Sequence, residues 1–241
     1  MTRKTQFAND QYYHIYNRGV DKRQIFLQHK HYHRFIHDLY EFNDLNAVTN
    51  VNRRFSTTDG SPTPISSTID GSRASISIKK RERLVEIVCF CLMPTHFHLI
   101  LKQLIDKGIS KFMHKLGTGY VNYFNGEQKR TGTLFEGRFK SILIENDEYL
   151  MHLSRYIHLN CIDLIEPKWK ENGIKNWENA VEFLRNYKWS SYLDYIGRDN
   201  VPSVIDNEFL LGYFDNKKEY SQFVVNWMHD DIKYIKGLTL E

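Results

Sequence analysis

LVEIVCFCLMPTHFHLILK, residues 84–102, contains two apolar runs that are separated by Pro94 and Thr95. The first run, Leu84 to Met93, is almost continuously apolar, which is typical of a central strand covered on both faces. The second run, His96 to Lys102, has the length and composition of a strand that follows a short turn. The stretch therefore predicts a β-hairpin inside a sheet.

Further elements are predicted on both sides of this hairpin. The segment Gln11 to Arg18 is rich in aromatic and β-branched residues and predicts a strand, and Arg138 to Glu145 predicts another. Apolar residues recur at helical spacing from about 30 to 45. Two more helices are predicted, at about 109–128 and from Asp147 to about Cys161.

The resulting order of elements is β, α, β, β, α, β, α. A hairpin flanked by two β-α units predicts an α+β fold, with a ferredoxin-like split βαβ antiparallel sheet and helices on one face. Asn146 is a suitable N-cap for the last helix, and the acidic residues that follow it complement the helix dipole.

Two regions lie outside this pattern. Residues 46–78 are dominated by Ser, Thr, Gly and Asp and show no sustained periodicity, which predicts a mobile insertion or a loose hairpin within the domain. Beyond Pro167 the chain looks helical and irregular. We therefore expect a core domain over residues 1–165 and a C-terminal appendage over residues 166–241.

The composition narrows the class of protein. The 241 residues include 41% hydrophobic and 26% charged residues, enough apolar material for a proper core. No stretch approaches a membrane helix and no secretory leader is evident, so the cytoplasm is the expected compartment. The three cysteines are too few for a disulfide framework, and two of them lie inside an apolar run of the sequence. A net charge of +4 permits a polyanionic partner without requiring one.

The first candidate for chemistry is the pair His96 and His98. Residues two apart on a strand project from the same face, so both imidazoles point the same way and form a bidentate site for a divalent metal. A structural zinc site that adds Cys89 and Cys91 is an alternative, although the cysteines lie in an apolar strand without a CxxC knuckle.

The second candidate lies on the last predicted helix. Tyr156 and Asn160 are four residues apart and so share one helix face. The carbonyl oxygen of Asn160 is a hard ligand that could complete a site begun by the histidines, with Tyr156 beside the metal. Such a mixed nitrogen and oxygen set fits Mg or Mn. An ordinary core tyrosine on an amphipathic helix is the alternative for Tyr156.

Five motifs carry a resemblance to a known family, and they follow one another in that family's order. They are YHIYNRG at 13–19, MPTHFHLIL at 93–101, GTLFEGRFKS at 132–141, YIHLN at 156–160 and WSSY at 189–192. With them the sequence resembles the HUH single-tyrosine transposases, in the branch of the REP-associated tyrosine transposases. The family's usual YIHLNP ends here in Cys161 instead of proline, and other members have Gln in place of Asn160.

The resemblance implies a ferredoxin-like fold and the metal-dependent cleavage and rejoining of single-stranded DNA next to hairpins. It implies that His96, His98 and Asn160 are metal ligands and that Tyr156 is the nucleophile, which holds the 5′ phosphate covalently. Relatives act as dimers or as monomers, so a homodimer is compatible with the sequence.

Phosphate contacts are expected from three basic residues. Arg138 and Lys140 alternate onto one face of their strand, and Arg18 ends the first strand. Two other functions stay open at this point. One is a non-catalytic or domesticated single-stranded nucleic-acid-binding protein with the same fold. The other is a relaxase or replication initiator, which usually carries further tyrosines or a helicase.

Overall fold

The computed structural model describes residues 6–46 and 81–228. The predicted insertion at 46–78 lies outside the described residues, apart from Asn46. The core elements follow the predicted order, and they are β1 (Tyr12–Arg18), α1 (His29–Glu41), β2 (Val85–Met93), β3 (His96–Gln103), α2 (Gly108–Glu127), β4 (Lys140–Ile144) and α3 (Asp147–Leu159).

The four strands form one antiparallel sheet in the order β2-β3-β1-β4. In this order β3 lies between β1 and β2, so the chain runs through a split βαβ arrangement as predicted. The register pairs His98 of β3 with Tyr16 of β1 on one side and with Cys91 of β2 on the other. The histidine motif therefore lies at the centre of the sheet.

The side chains of β3 alternate between the two faces of the sheet, and helices cover both faces. Phe97 points toward α1, where its ring centroid lies 5.1 Å from that of Phe35, and Phe35 in turn contacts Tyr120 of α2. On the opposite face, the His98 ring lies 6.3 Å from the ring of Tyr156 on α3. The prediction of helices on one face thus holds for the crossover helices α1 and α2, while α3 packs on the other face.

Helix α3 begins as the sequence predicts. The side chain of Asn146 accepts a hydrogen bond from the backbone N–H of Tyr149 at 2.8 Å, which satisfies one of the unpaired donors of the first turn. Asp147 and Glu148 lie in that turn. After Leu159 the chain tightens into a 3-10 turn over Asn160–Leu164.

The C-terminal segment is packed into the same core as the sheet. It contains the short helices α4 (Trp169–Asn172), α5 (Trp177–Asn186), α6 (Tyr192–Tyr195), α7 (Glu208–Leu211) and α8 (Lys217–Asn226). The rings of Trp169, Tyr195 and Tyr220 are buried in one apolar cluster with strands β1 to β3. Among the described residues, no helix combines the length and apolar character that a membrane span requires.

This segment also covers the outer edge of β2. The N–H of Leu92 donates to the carbonyl of Trp189 at 2.9 Å, and the N–H of Ser191 donates to the carbonyl of Phe90 at 3.0 Å. An uncovered edge would leave a row of backbone groups open to pairing with another chain. The division into a core and an appendage at residue 165 stays a prediction.

Candidate active site

The predicted histidine pair lies on one face of β3. The ring centroids of His96 and His98 are 5.1 Å apart, and the ring planes are almost perpendicular, at 88°. His98 is buried and His96 is half-buried. The alternation of the strand thus brings the two imidazoles together as the sequence predicts.

A hydrogen bond orients each ring at Nδ1. The Thr95 Oγ1 lies 3.0 Å from His96 Nδ1, and His14 Nε2 lies 2.9 Å from His98 Nδ1. Because Nδ1 is used in both rings, Nε2 is the nitrogen that each ring can offer to a metal. Partners of this kind fix the tautomer and the plane of metal-binding histidines.

His14 is a site residue that the sequence did not identify. It lies on β1, diagonally across from His98, and its buried ring stacks against the rings of both His98 and Tyr16. Burial, followed by the proximity of His98, lowers the pKa of His14 well below its ordinary value. The ring is therefore neutral at physiological pH, so its Nε2 can accept the proton of His98 Nδ1–H.

The donor atoms fit a divalent metal ion held by two imidazoles. Two imidazole rings with ordered Nδ1 partners suit such an ion, and the remaining ligands would be oxygens. In the part of the chain that the structure describes, no three His, Cys, Asp or Glu side chains cluster as a metal site. Cys89 and Cys91 are buried free thiols, which gives the alternative zinc site no support.

A cleft of about 280 Å³ joins the histidine pair to the predicted phosphate contacts. All five of these predicted site residues line it: His96, His98, Arg18, Arg138 and Lys140. They come from β1, β3, β4 and the loop before β4, so only the folded sheet unites them. A cleft with cations beside two imidazoles suits a phosphodiester.

The cations in this cleft are partly engaged with neighbouring groups. Arg18 forms an ion pair with Glu136. The hydrogen bond that the Arg18 guanidinium donates to the Glu136 carboxylate lowers the pKa of that carboxyl group. The Lys140 ammonium lies 5.7 Å from the centroid of the Tyr16 ring. A DNA phosphate would therefore compete with Glu136 for Arg18.

Tyr156 lies next to the histidine pair, below the cleft. Its ring meets that of His98 edge to face, with centroids 6.3 Å apart. Only 1% of its surface is exposed, so the phenol is buried in this conformation. Tyr156 does not line the cleft, so its predicted role as the nucleophile would require its side chain to move toward a phosphate held there.

Asn160 is buried at the end of α3, and both ends of its amide make hydrogen bonds. Its Nδ2 donates to the backbone carbonyl of Tyr156 at 3.0 Å, and its Oδ1 accepts from the Lys170 ammonium at 3.1 Å. The oxygen that was predicted to bind metal thus faces a cation. The role of Asn160 as a third ligand stays a prediction.

Lys170 is the second site residue that the sequence did not identify. It lies on α4, and its ammonium is 3.3 Å from Tyr156 Oη and 2.9 Å from Asp163 Oδ2, in addition to the contact with Asn160. Only 12% of its side chain is exposed, so the ammonium is held against the phenol oxygen in a largely buried setting. No periodicity connects Lys170 with Tyr156, because folding of the C-terminal segment places one beside the other.

Comparisons with known proteins bear on this arrangement. Residues 68–160 match the model of the family "Transposase IS200 like". A comparison with curated proteins finds no match. A solved structure of the REP-associated tyrosine transposase bound to a REP hairpin is similar at 12% identity and a TM-score of 0.49, over 86% of this chain and 91% of that chain.

A structural similarity at that level supports no conclusion about activity. The family match, in contrast, covers a defined part of the chain. That part contains His96, His98, Tyr156 and Asn160. The family match thus confirms the predicted resemblance to the single-tyrosine transposases over the segment that carries the histidine pair and the tyrosine helix.

Proposed function

We propose that this protein is a metal-dependent endonuclease and strand transferase for single-stranded DNA, with Tyr156 as its nucleophile. The observation that carries the proposal is the cleft in which the His96 and His98 pair meets Arg18, Arg138 and Lys140. The similarity of residues 68–160 to IS200-like transposases supports a transposase role for this arrangement.

The reaction is a transesterification. The Tyr156 Oη attacks the phosphorus of a phosphodiester, and the new Oη–P bond replaces the bond from phosphorus to O3′. The phenol proton passes to water, and the departing O3′ takes a proton from water. The DNA is left with a free 3′ hydroxyl and a 5′ phosphate on the tyrosine, and attack by a 3′ hydroxyl reverses the step without ATP.

The residues of the cleft have separate tasks in this reaction. Arg18, Arg138 and Lys140 hold phosphates of the strand and so fix its register without reading its sequence. His96 and His98 hold Mg or Mn, with Asn160 as the expected third ligand. The bound ion supplies Lewis acidity at the phosphate and neutralises developing charge.

The expected substrate is a single strand that contains a DNA hairpin. The positive cleft is open to an extended backbone, and the family resemblance suggests a hairpin beside the cleaved strand. We further propose that the protein acts in the cytoplasm, as a monomer or a homodimer.

A second candidate function has one observation in its favour. Because Tyr156 is 1% exposed, the same fold could bind single-stranded DNA in the cleft without cutting it. A domesticated transposase of this kind would keep the cations but would never expose the phenol.

A denaturing gel with a labelled pool of hairpin DNA distinguishes the two functions. The wild type with Mn or Mg should give a covalent protein–DNA band, and chelation with EDTA should remove it. Tyr156→Phe should abolish the band, whereas Tyr149→Phe, a matched change on the same helix, should keep it. DNA binding without any covalent band would favour the non-catalytic candidate.

A further inference from the structure

A second cavity lies beside the cleft, between α2 and the loop that precedes β4. It has a volume of about 450 Å³ and is called the α2 pocket below. One wall is formed by residues of α2, and the other by residues of the loop. The walls include Ser110, His114, Gly117 and Thr118 from α2, and Phe135 and Phe139 from the loop.

The α2 pocket and the cleft share part of their walls at one end of strands β1 and β3, where Asn17 pairs with Phe97. Asn17, Phe97 and Arg138 line both, although the pocket lies on the sheet face that carries Phe97 and the cleft on the face that carries His98. A strand held in the cleft therefore reaches the mouth of the pocket around the ends of these strands.

Two hydrogen bonds hold the loop that precedes β4 against β1. Asn17 Nδ2 donates to the carbonyl of Gly137 at 3.1 Å, and the N–H of Glu136 donates to the carbonyl of Arg18 at 2.9 Å. A nucleotide that reaches the pocket therefore meets a fixed surface.

The two walls of the pocket differ in chemistry. Phe135 and Phe139 are half-buried, so each ring keeps part of its surface open. Opposite them, Ser110, His114 and Thr118 recur every four residues and therefore stack along one face of α2, where all three are exposed. A nucleobase has the complementary form, with apolar faces for the rings and a polar edge for hydroxyl and imidazole groups.

We propose that the α2 pocket binds an unpaired base of the same DNA strand whose phosphodiester lies in the cleft. Phe135 and Phe139 flank the base, while Ser110, His114 and Thr118 contact its polar edge. The volume lies within the usual range for small-ligand sites, about 300–1,000 Å³. The inference rests on the proposed function, in that it assumes single-stranded DNA in the cleft.

A substitution at Gly117 can fill the pocket with a new side chain while every existing side chain is kept. It lines the pocket, and a Cβ built on it meets no atom within 4 Å. Methionine also has a higher helix propensity than glycine, so Gly117→Met should fold at least as well. Gly126 on the same helix has equally open space and lies outside the pocket lining, which makes Gly126→Met the matched control.

The test measures binding of fluorescent single strands of dA, dC and dT, about 20 nucleotides long, against an abasic strand of the same length. Fluorescence anisotropy is recorded with the full chain carrying Tyr156→Phe, so that no cleavage interferes. That background should bind at least one base-bearing strand roughly tenfold tighter than the abasic strand. Gly117→Met should remove this preference and leave abasic binding unchanged, whereas Gly126→Met should leave both unchanged.

Equal binding of all four strands, or a preference that survives Gly117→Met, would overturn the α2 pocket as a base site. The outcome is separate from that of the covalent assay. A base preference that Gly117→Met abolishes, together with no covalent band in the wild type, would leave the pocket in place and reject the nuclease. A covalent band in the wild type without any base preference would instead support the nuclease and reject the α2 pocket as a base site.

Discussion

At the scale of single residues, the contact between His14 and His98 connects strand pairing to the proposed metal site. The two rings are 84 positions apart in the chain, and their nitrogens lie 2.9 Å apart. A partner of this kind holds the ligand in one tautomer and one orientation before any metal arrives. His14 is therefore a positioning residue for His98.

We predict that His14→Ala weakens Mn²⁺ binding by about tenfold or more, the usual cost of losing an outer-shell partner. Isothermal titration calorimetry of the DNA-free protein measures this directly. His29→Ala, on an exposed position of α1, should leave the affinity unchanged. Equal Mn²⁺ affinity of the wild type and His14→Ala would show that His14 does not position the ligand.

The contact of Lys170 with Tyr156 Oη places a cation at the oxygen that we propose attacks the phosphate. A cation fixed beside a phenol stabilises the phenolate, which is the attacking form, and loss of one such preorganised charge typically costs about 100-fold or more in rate. We predict that Lys170→Met slows formation of the covalent adduct by about that factor in single-turnover assays. Lys175→Met, an exposed change nearby, should have little effect.

The opposite result is informative as well. Faster adduct formation by Lys170→Met would mean that the ammonium holds Tyr156 in its buried position and opposes attack. The circular dichroism spectra of the wild type and variant should be compared, because Lys170 also bridges Asn160 and Asp163.

At the scale of elements, the C-terminal segment completes the edge of the sheet. The hydroxyls of Tyr187 and Tyr195 donate to the carbonyls of Leu92 and Val88 at 2.7 and 2.8 Å, in addition to the backbone bonds along β2. Removal of this segment would expose both a strand edge and a large buried surface.

We predict that a chain ending at Ile165 loses its cooperative unfolding transition or melts more than about 10 °C below the full chain. Thermal unfolding followed by circular dichroism measures the difference. A truncated chain that stays monomeric and melts at the wild-type temperature would instead support an independent core domain over residues 1–165.

The sequence predicts elements better than it predicts what they contact. The apolar run of β2, the alternation in β3 and the cap at Asn146 are local patterns, and each gave an element with nearly correct bounds. His96 and His98 follow from the same local alternation. His14 depends on the register between β1 and β3, and Lys170 depends on tertiary packing, so neither has a local signal.

At the scale of the whole molecule, His158 connects α3 to the C-terminal segment. Its Nε2 lies 2.9 Å from Ser191 Oγ, and its Nδ1 lies 2.8 Å from the Tyr220 hydroxyl. The ring is fully buried, and burial lowers the pKa of His158 to about 3. The folded protein therefore keeps this imidazole neutral.

This neutral histidine predicts a loss of stability in acid. The unfolded chain binds a proton at His158 below its ordinary pKa of about 6.5, whereas the folded chain does not until about pH 3. Stability is thus retained above pH 6.5 and falls as the pH decreases. The contribution of His158 is about 2 kcal/mol between pH 7 and pH 5.

Urea denaturation at the two pH values measures this effect. The free energy of unfolding of His158→Gln should depend less on pH than that of the wild type, by about the same 2 kcal/mol. Identical pH dependence of the two proteins would mean that His158 titrates normally in the folded state.

The central claim concerns the whole molecule, because the phenol on α3 must reach DNA that is held by the sheet. Tryptic cleavage after Arg155 and Lys168 releases the peptide YIHLNCIDLIEPK, in which Tyr156 is the single tyrosine. The most direct test is mass spectrometry of the peptide that carries the nucleotide after digestion of the covalent adduct. We predict a 5′-phosphodeoxynucleotide on this peptide, and its attachment to any other peptide would contradict the assignment of Tyr156 as the nucleophile.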